Sequence, residues 1–207
     1  MAKLLELEHE ESEKWLSEED RRIADLILGD SHKEYTDALR DTSWGIFYQI
    51  SPLREGLYNW YPFKAESEIL ELSDGYGAIT ELLCRKGKRV TVVERSSCKA
   101  KCIFKRVEDY QNIVIVSGTL QMLPAENQFD YIVVEKALST KDELTGTLQE
   151  TLPFLKENGR ILFVCENRFG MKYWCGVPDP IKNRPFSGIR EDGTGKLITR
   201  HDLITEL

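Results

Sequence analysis

The sequence lacks any long apolar run and any pattern typical of a secretory leader. No apolar stretch approaches the roughly 20 residues that a membrane-spanning helix needs. Residues 6–13 are mostly acidic or polar, whereas a signal peptide would place an apolar stretch near the N-terminus. We therefore expect a cytoplasmic protein without a membrane span.

Paired cysteine motifs are also missing. The five cysteines are Cys84, Cys98, Cys102, Cys165 and Cys175, and no two of them form a C-x-x-C pair. The Cys98-x-x-x-Cys102 spacing has no second half that would complete a metal site. We expect reduced thiols and no bound metal.

An excess of positive charge is absent as well. The formal net charge is -7 at pH 7, whereas a nucleic-acid backbone attracts concentrated lysine and arginine. The composition argues against nucleic acid as the main partner. A length of 207 residues is enough for one α/β domain with a substantial core.

Strand-like and helix-like patterns alternate from residue 68 onward. The apolar runs are short and rich in Val, Ile and Leu, as in buried parallel strands. Five strands are expected, at 68–72, 90–94, 113–116, 131–134 and 160–164. Repeated strand–helix order implies right-handed crossovers. The expected fold class is α/β, with a doubly wound, Rossmann-like, mostly parallel sheet.

Residues 1–64 precede this alternation and are expected to form an N-terminal helical cap. Ser17 and Asp20 have the spacing of a helix-capping box. Residues 43–63 are dense in aromatic side chains. They either pack as a cap against the sheet edge or form a lid over a bound ligand, and the two roles are compatible.

A glycine-containing turn joins the first two expected strands. Glu71 lies at the end of the first strand, Gly75 and Gly77 follow in the turn, and Glu94 ends the second strand. Such a turn lets the backbone approach a nucleoside-bearing ligand, and an acid after the second strand can accept hydrogen bonds from ribose hydroxyls. A dinucleotide fingerprint requires a third glycine, and Thr80 stands there instead.

The order of acid, Gly-x-Gly turn and second acid resembles the first two motifs of class I S-adenosylmethionine-dependent methyltransferases. The segments 117–124, 129–135 and 154–164 resemble later elements of the same superfamily, so the likeness covers roughly residues 65–170. It implies a methyltransferase domain over residues 65–207 with S-adenosyl-L-methionine as cofactor.

A narrower resemblance lies outside this core. Segments 51–63, 166–176 and 186–189 are similar to bacterial methyltransferases that are encoded with, or fused to, glycosyltransferases of surface-polysaccharide clusters. This resemblance implies a glycan or another small molecule as the methyl acceptor.

The resemblance also implies roles for individual residues. The cofactor-binding set is Glu71, Ser73, Gly75, Gly77, Glu94, Arg95, Thr119 and Leu120. Glu135 and Glu166, which follow the fourth and fifth strands, are the candidate catalytic acids, since a sugar hydroxyl needs a general base.

Two positions depart from the superfamily pattern. Ser73 stands where glycine is usual, and Thr119 stands where an acid is usual. A non-catalytic, methyltransferase-like binding domain associated with a glycosyltransferase is therefore the alternative function. A nicotinamide or nucleotide-sugar oxidoreductase fits less well, because the third glycine and a Tyr-x-x-x-Lys pair are missing.

The C-terminal part of the sequence favours loops. Prolines and glycines are frequent between residues 178 and 195, and residues 198–207 have the pattern of a helix start. Class I methyltransferases usually add two more strands after the fifth. We expect the chain to be the N-terminal part of a longer protein, with a domain truncated at its C-terminus and an uncovered sheet edge that permits a homodimer.

Overall fold

The computed structural model describes residues 2–6, 17–29, 36, 38, 43–124, 126, 128–179, 183–186 and 197–206. The chain divides into two compact units. Unit 1 comprises residues 1–136 and 154–162, and unit 2 comprises residues 137–153 and 163–207. No helix within the described residues is long and apolar enough to cross a membrane.

A single sheet of six strands is seen within the described residues. The strands are β1 (Lys3–Glu6), β2 (Glu68–Leu72), β3 (Arg89–Glu94), β4 (Ile113–Ser117), β5 (Phe129–Leu138) and β6 (Leu155–Cys165). Their order across the sheet is β1-β4-β3-β2-β5-β6. The pairs β1–β4, β4–β3, β3–β2 and β2–β5 are all parallel.

The strand order reverses direction at β2. From β2 the chain proceeds through β3 to β4 on one side, and β5 and β6 lie on the other side. In a doubly wound sheet, such a reversal leaves a crevice at the carboxyl ends of the two diverging strands, and ligands bind there. The glycine turn follows β2 directly, so the topology places it at this crevice.

The expectation of a mostly parallel α/β sheet is confirmed, but the expected number of five strands is wrong. The additional strand is β1, which pairs with the outer edge of β4 in the register Lys3–Val114 to Glu6–Ser117. The N-terminal segment is therefore not purely helical. Only Leu4 and Leu5 are large apolar residues in β1, and Leu5 is 50% exposed. An edge strand so short carries too weak an apolar pattern to be recognised from sequence.

Seven α-helices have both ends within the described residues. They are α1 (Glu18–Leu28), α2 (Trp44–Ile50), α3 (Thr80–Lys86), α4 (Ser97–Val107), α5 (Lys141–Thr151), α6 (Met171–Trp174) and α7 (Arg200–Glu206). Short 3-10 helices cover Pro52–Leu57, Leu120–Met122 and Leu152–Phe154.

Helix α1 is fixed to the glycine turn through the hydroxyl of Tyr76, which donates to Asp20. The capping box expected at Ser17 and Asp20 is confirmed. The second oxygen of Asp20, Oδ1, accepts a hydrogen bond of 2.7 Å from the hydroxyl of Tyr76, which lies between Gly75 and Gly77. The ring of Tyr76 is buried in an apolar cluster with residues of helices α1, α2 and α4. One carboxylate thus both caps helix α1 and anchors the turn.

This bond also affects the ionisation of Asp20. Partial burial alone would raise the pKa of Asp20, but hydrogen bonds from Tyr76 and Ser17 hold it below its ordinary value. For an acid whose pKa is lower in the folded protein, the stabilisation is present at neutral pH and is lost on acidification.

We predict that Tyr76→Phe lowers the free energy of unfolding by about 1–2 kcal/mol, because a hydrogen bond to an ionised acceptor is lost. In an Asp20→Asn background the same substitution should cost clearly less. Urea unfolding of the two single variants and the double variant measures this coupling. Tyr58→Phe is the matched control, because its hydroxyl donates to the carbonyl of Val134 instead. Equal costs of Tyr76→Phe in both backgrounds would show that the charge of Asp20 does not strengthen the bond.

Candidate functional site

The turn after β2 requires glycine at two positions. Gly77 has φ +78°, a conformation that L side chains rarely adopt, and a Cβ there would lie 3.2 Å from the side chain of Ile103. At Gly75 a Cβ would lie 2.8 Å from Oε1 of Gln49 and 2.9 Å from Oε1 of Glu135. The missing side chains let the turn pack closely against Ile103, Gln49 and Glu135.

Three buried carboxylates lie at or near the carboxyl ends of adjacent strands. Glu71 of β2 is 0% exposed, Glu94 of β3 is 4% exposed and Glu135 of β5 is 5% exposed. The strand register brings them together, because Leu72 of β2 pairs with Val93 of β3 and with Val134 of β5. Sequence reasoning assigned all three acids to the site, and the structure places them at one edge of unit 1.

Within the described residues, only one of the two carboxyl oxygens of Glu71 accepts a hydrogen bond. Its Oε1 accepts a hydrogen bond of 2.9 Å from the hydroxyl of Thr80, the residue that replaces the third glycine of a dinucleotide fingerprint. No described residue donates to its Oε2. Burial raises the pKa of Glu71 well above its ordinary value, and the nearby charges of Glu135 and Glu94 act in the same direction, while Arg54 opposes them.

Glu94 has the same half-satisfied arrangement. Its Oε1 accepts a hydrogen bond of 2.8 Å from the backbone N–H of Ser96, and within the described residues nothing donates to its Oε2. Burial raises the pKa of Glu94 to about 7, although the N–H of Ser96 and the charge of Lys99 lower it. A buried acceptor without a donor is costly, so Glu94 is suited to accept from a ligand hydroxyl.

Glu135 forms an ion pair that sequence reasoning missed. Nη1 of Arg54 lies 3.1 Å from Oε1 of Glu135, and both side chains are almost fully buried. The guanidinium also lies 4.2 Å from the ring centroid of Tyr48. Arg54 belongs to the aromatic segment 43–63, so this segment contacts β5. Its role as a cap or as a lid stays a prediction. The sequence feature that could have indicated this ion pair is Arg54 itself, which is the one lysine or arginine in the aromatic, largely apolar segment 43–63.

Ser73 occupies the gap between the turn and Glu135. Its hydroxyl donates a hydrogen bond of 2.9 Å to Oε2 of Glu135, and the backbone N–H of Asp74 donates to the same oxygen at 3.1 Å. The N–H of Gly75 in turn donates to Oγ of Ser73 at 3.3 Å. The departure from glycine at this position thus introduces a side chain that fixes a buried acid.

The remaining cofactor candidates follow β3 and β4. Arg95 is exposed, and Thr119 is half-buried immediately before the 3-10 helix Leu120–Met122. The side chain of Leu120 packs in the apolar core of unit 1. Their proximity to the strand ends agrees with the assignment, but their role in binding stays a prediction.

Glu166 belongs to unit 2, directly after β6. Its carboxylate accepts a hydrogen bond of 2.8 Å from the hydroxyl of Tyr173 and forms an ion pair with Lys172, whose Nζ lies 2.7 Å from Oε2. Its backbone N–H donates to the carbonyl of Leu138. The side chain is therefore engaged by a tyrosine and a lysine of its own unit, and the assignment of Glu166 to catalysis stays a prediction.

Comparisons with known proteins agree with this geometry. A protein-family profile described as "Methyltransferase domain" matches residues 70–163. The chain is 28% identical over 136 residues to a malonyl-[acyl-carrier protein] O-methyltransferase from Priestia megaterium, covering 64% of this chain and 47% of that protein. It is 28% identical over 122 residues to a demethylmenaquinone methyltransferase from Tropheryma whipplei, covering 58% and 50%.

Solved structures that are similar to this chain include the N-methyltransferase NodS from Bradyrhizobium japonicum in complex with S-adenosyl-L-homocysteine. It is 20% identical, with a TM-score of 0.46 over 71% of this chain and 72% of that one. The chain spans about half the length of the curated relatives it matches. The matched segment contains β2 to β5 with the glycine turn and all three buried acids. Residues 70–163 are thus similar to a methyltransferase domain.

Proposed function

We propose that this chain binds S-adenosyl-L-methionine at the turn after β2 and transfers its methyl group to a small-molecule acceptor. The observation that carries the proposal is the Oε2 of buried Glu94 at the end of β3, to which no described residue donates. The turn after β2, in which Gly77 has φ +78°, follows the adjacent strand. A ribose hydroxyl is the donor that such an acceptor fits.

The charge balance of the site supports the same cofactor. Glu71, Glu94 and Glu135 are three buried acids, and the buried cation Arg54 pairs with Glu135. A desolvated site lined with carboxyl groups favours a ligand with positive charge, because a nearby cation favours the ionised form of each acid and charges interact more strongly where water is excluded. S-adenosyl-L-methionine carries a sulfonium and an ammonium, whereas NAD brings two phosphates that the acids would repel.

When bound, the cofactor supplies an activated methyl group, so the protein has mainly to orient the acceptor and exclude water. The turn residues would hold the methionine part, and Glu94 would hold the ribose. The aromatic segment 43–63 presents exposed Trp44, Leu53 and Trp60, which can contribute apolar contact area for the acceptor.

The acceptor class rests on similarity. The curated relatives are named for malonyl-[acyl-carrier protein] and for demethylmenaquinone. The glycan acceptor, the glycosyltransferase association and the homodimer stay predictions from the narrower resemblance and from the sheet edge.

A non-catalytic binding domain is the second candidate. Both candidate bases form ion pairs, Glu135 with Arg54 and Glu166 with Lys172. An acid held in an ion pair is a weaker general base, and this favours a domain that binds without catalysis. Transfer of isotope-labelled methyl groups to a mixture of small-molecule acceptors separates the two functions. Cofactor binding without any labelled product from a broad acceptor set would favour the second candidate.

We predict that S-adenosyl-L-homocysteine raises the melting temperature, whereas NAD and NADP do not. At a concentration a hundredfold above its dissociation constant, a ligand specific for the folded state adds about 2.7 kcal/mol to the free energy of unfolding. Differential scanning fluorimetry with the three ligands tests this. Stabilisation by NAD and not by S-adenosyl-L-homocysteine would reject the proposed cofactor.

We also predict that S-adenosyl-L-homocysteine binds more tightly as the pH rises from 6 to 8. A hydroxyl that donates to Glu94 stabilises its ionised form, so binding releases a proton from a group whose pKa is about 7. The affinity should rise by up to about tenfold over this range and level off above it.

Glu94→Gln is the matched control for this pH dependence. The amide keeps an acceptor oxygen but does not titrate, so binding should be weaker and nearly independent of pH. Titration calorimetry at several pH values measures both properties. A wild-type affinity that is flat between pH 6 and 8 would remove Glu94 from the ribose site.

A further inference from the structure

A groove with a volume of about 720 Å³ lies on one face of the sheet in unit 1. Strands β1, β3 and β4 form its floor, and the chain after the 3-10 helix Leu120–Met122 forms a wall. Among the described residues, none of the cofactor-binding candidates lines it. Its size is within the range of about 300–1,000 Å³ that is typical of small-molecule sites. We call it the amino-edge groove and define it by Lys3, Leu5, Lys88, Arg89, Val116 and Met122.

This part of the sheet lacks the helix that would normally cover it. Parallel strands are usually joined by crossover helices that bury both faces of the sheet. The described residues between β4 and β5 contain a 3-10 helix of only three residues, Leu120–Met122. The apolar cluster on this face includes Leu123 from the same connection and, within the described residues, no residue of an α-helix. Leu5 of β1 is therefore left 50% exposed.

The strand register gives the groove a cationic end and an apolar end. Arg89 begins β3, and Lys88 precedes it directly, so both cations lie at the amino edge of the parallel sheet. Lys3 begins β1 at the same edge. Two residues further along β1, and on the same face of the sheet, Leu5 lies beside Val116 of β4. At about 3.3 Å per residue, these two rows are roughly 7 Å apart along the strands.

The cationic end carries an excess of positive charge. The charged lining residues are the cations Lys3, Lys88 and Arg89 and the acid Glu68. Glu68 is shared, because Nη1 of Arg89 lies 3.9 Å from Oε1 and Nζ of Lys156 lies 3.3 Å from Oε2. Lys88 also pairs with exposed Glu66 outside the lining. In a chain with a net charge of -7, this end of the groove is a local exception that attracts an anion.

We propose that the amino-edge groove binds a free fatty acid, a single-chain amphiphile with a carboxylate headgroup. The carboxylate lies among Lys3, Lys88 and Arg89, and the alkyl chain covers Leu5 and Val116. Each buried methylene group increases the affinity by about fourfold. The inference goes beyond the proposed methyl transfer, because this ligand and the cofactor occupy different sites and bind independently.

Four ligands separate the contributions of the headgroup and the chain. Decanoate has both, decanol has the chain without the charge, decyltrimethylammonium has the chain with the opposite charge, and butanoate has the carboxylate with a short chain. Titration calorimetry below the aggregation concentration of each ligand gives the dissociation constants. We expect decanoate to bind most tightly, decanol more weakly and decyltrimethylammonium more weakly still, with no measurable binding of butanoate.

We expect the Lys3→Gln/Arg89→Gln double variant to weaken decanoate by about threefold to thirtyfold, since two solvent-exposed charge contacts are lost. Its affinity for decanol should change less than about twofold. Leu5→Ser should weaken decanoate and decanol alike, because both bury the same chain. Circular dichroism verifies that each variant is folded.

The Lys64→Gln/Lys101→Gln double variant is the matched control. It removes the same number of positive charges, and both lysines are exposed and lie outside the groove lining. Its affinity for decanoate should equal that of the wild-type chain. Decanoate binding should also be unchanged when S-adenosyl-L-homocysteine is present in excess.

Three results would overturn the inference. If the wild-type chain does not bind decanoate, a helix of another protein becomes the occupant to test. Equal losses in the groove variant and the control variant would show that net charge alone attracts the ligand. Competition between decanoate and S-adenosyl-L-homocysteine would place the fatty acid at the strand ends instead. Calorimetry requires no methyl transfer, so a failure of the proposed function would leave the first two comparisons intact.

Discussion

The site depends on an imbalance of buried charge at the carboxyl edge of the sheet. Glu71, Glu94 and Glu135 are withdrawn from water, and Arg54 is the buried cation that faces them. Buried carboxylates are tolerated only when hydrogen bonds or opposite charges compensate them. Thr80, Ser96 and Ser73 satisfy one oxygen of each acid. Within the described residues, no group donates a hydrogen bond to the remaining oxygens, and these are the acceptors that the proposed ligand would use.

The position of that site follows from topology more than from any single residue. The sheet reverses its order at β2, and the parallel register aligns the ends of β2, β3 and β5. Residues far apart in sequence, such as Ser73 and Glu135, therefore come within hydrogen-bond distance. Tyr76 extends the arrangement to helix α1 through Asp20. The turn is thus held from three sides, by the sheet, by the aromatic segment and by the N-terminal helix.

In unit 2, the candidate acid Glu166 is bound by side chains of the same unit. Glu166 is held by Tyr173 and Lys172, and exposed apolar side chains follow at Phe169 and Met171. This segment carries part of the narrower resemblance to glycosyltransferase-associated methyltransferases. The residues that we propose for cofactor binding lie in unit 1, whereas part of the segments that carry the narrower resemblance lies in unit 2.

Strand periodicity and the Gly-x-Gly turn were sufficient to predict the fold class and the strands β2 to β5, because these features depend on local patterns. Glu135 was expected after a strand at 131–134, but β5 extends to Leu138 and contains it. The strand expected at 160–164 is β6, which begins at Leu155, because the α-helix before it ends at Thr151, two residues before Pro153. Only the tertiary structure determined the rest. The edge strand β1 exists because β4 offers an unpaired edge. Arg54 and Glu135 are 81 positions apart in the sequence. They pair because the strand order changes direction at β2 and places β5 beside it, and no local sequence pattern encodes that arrangement.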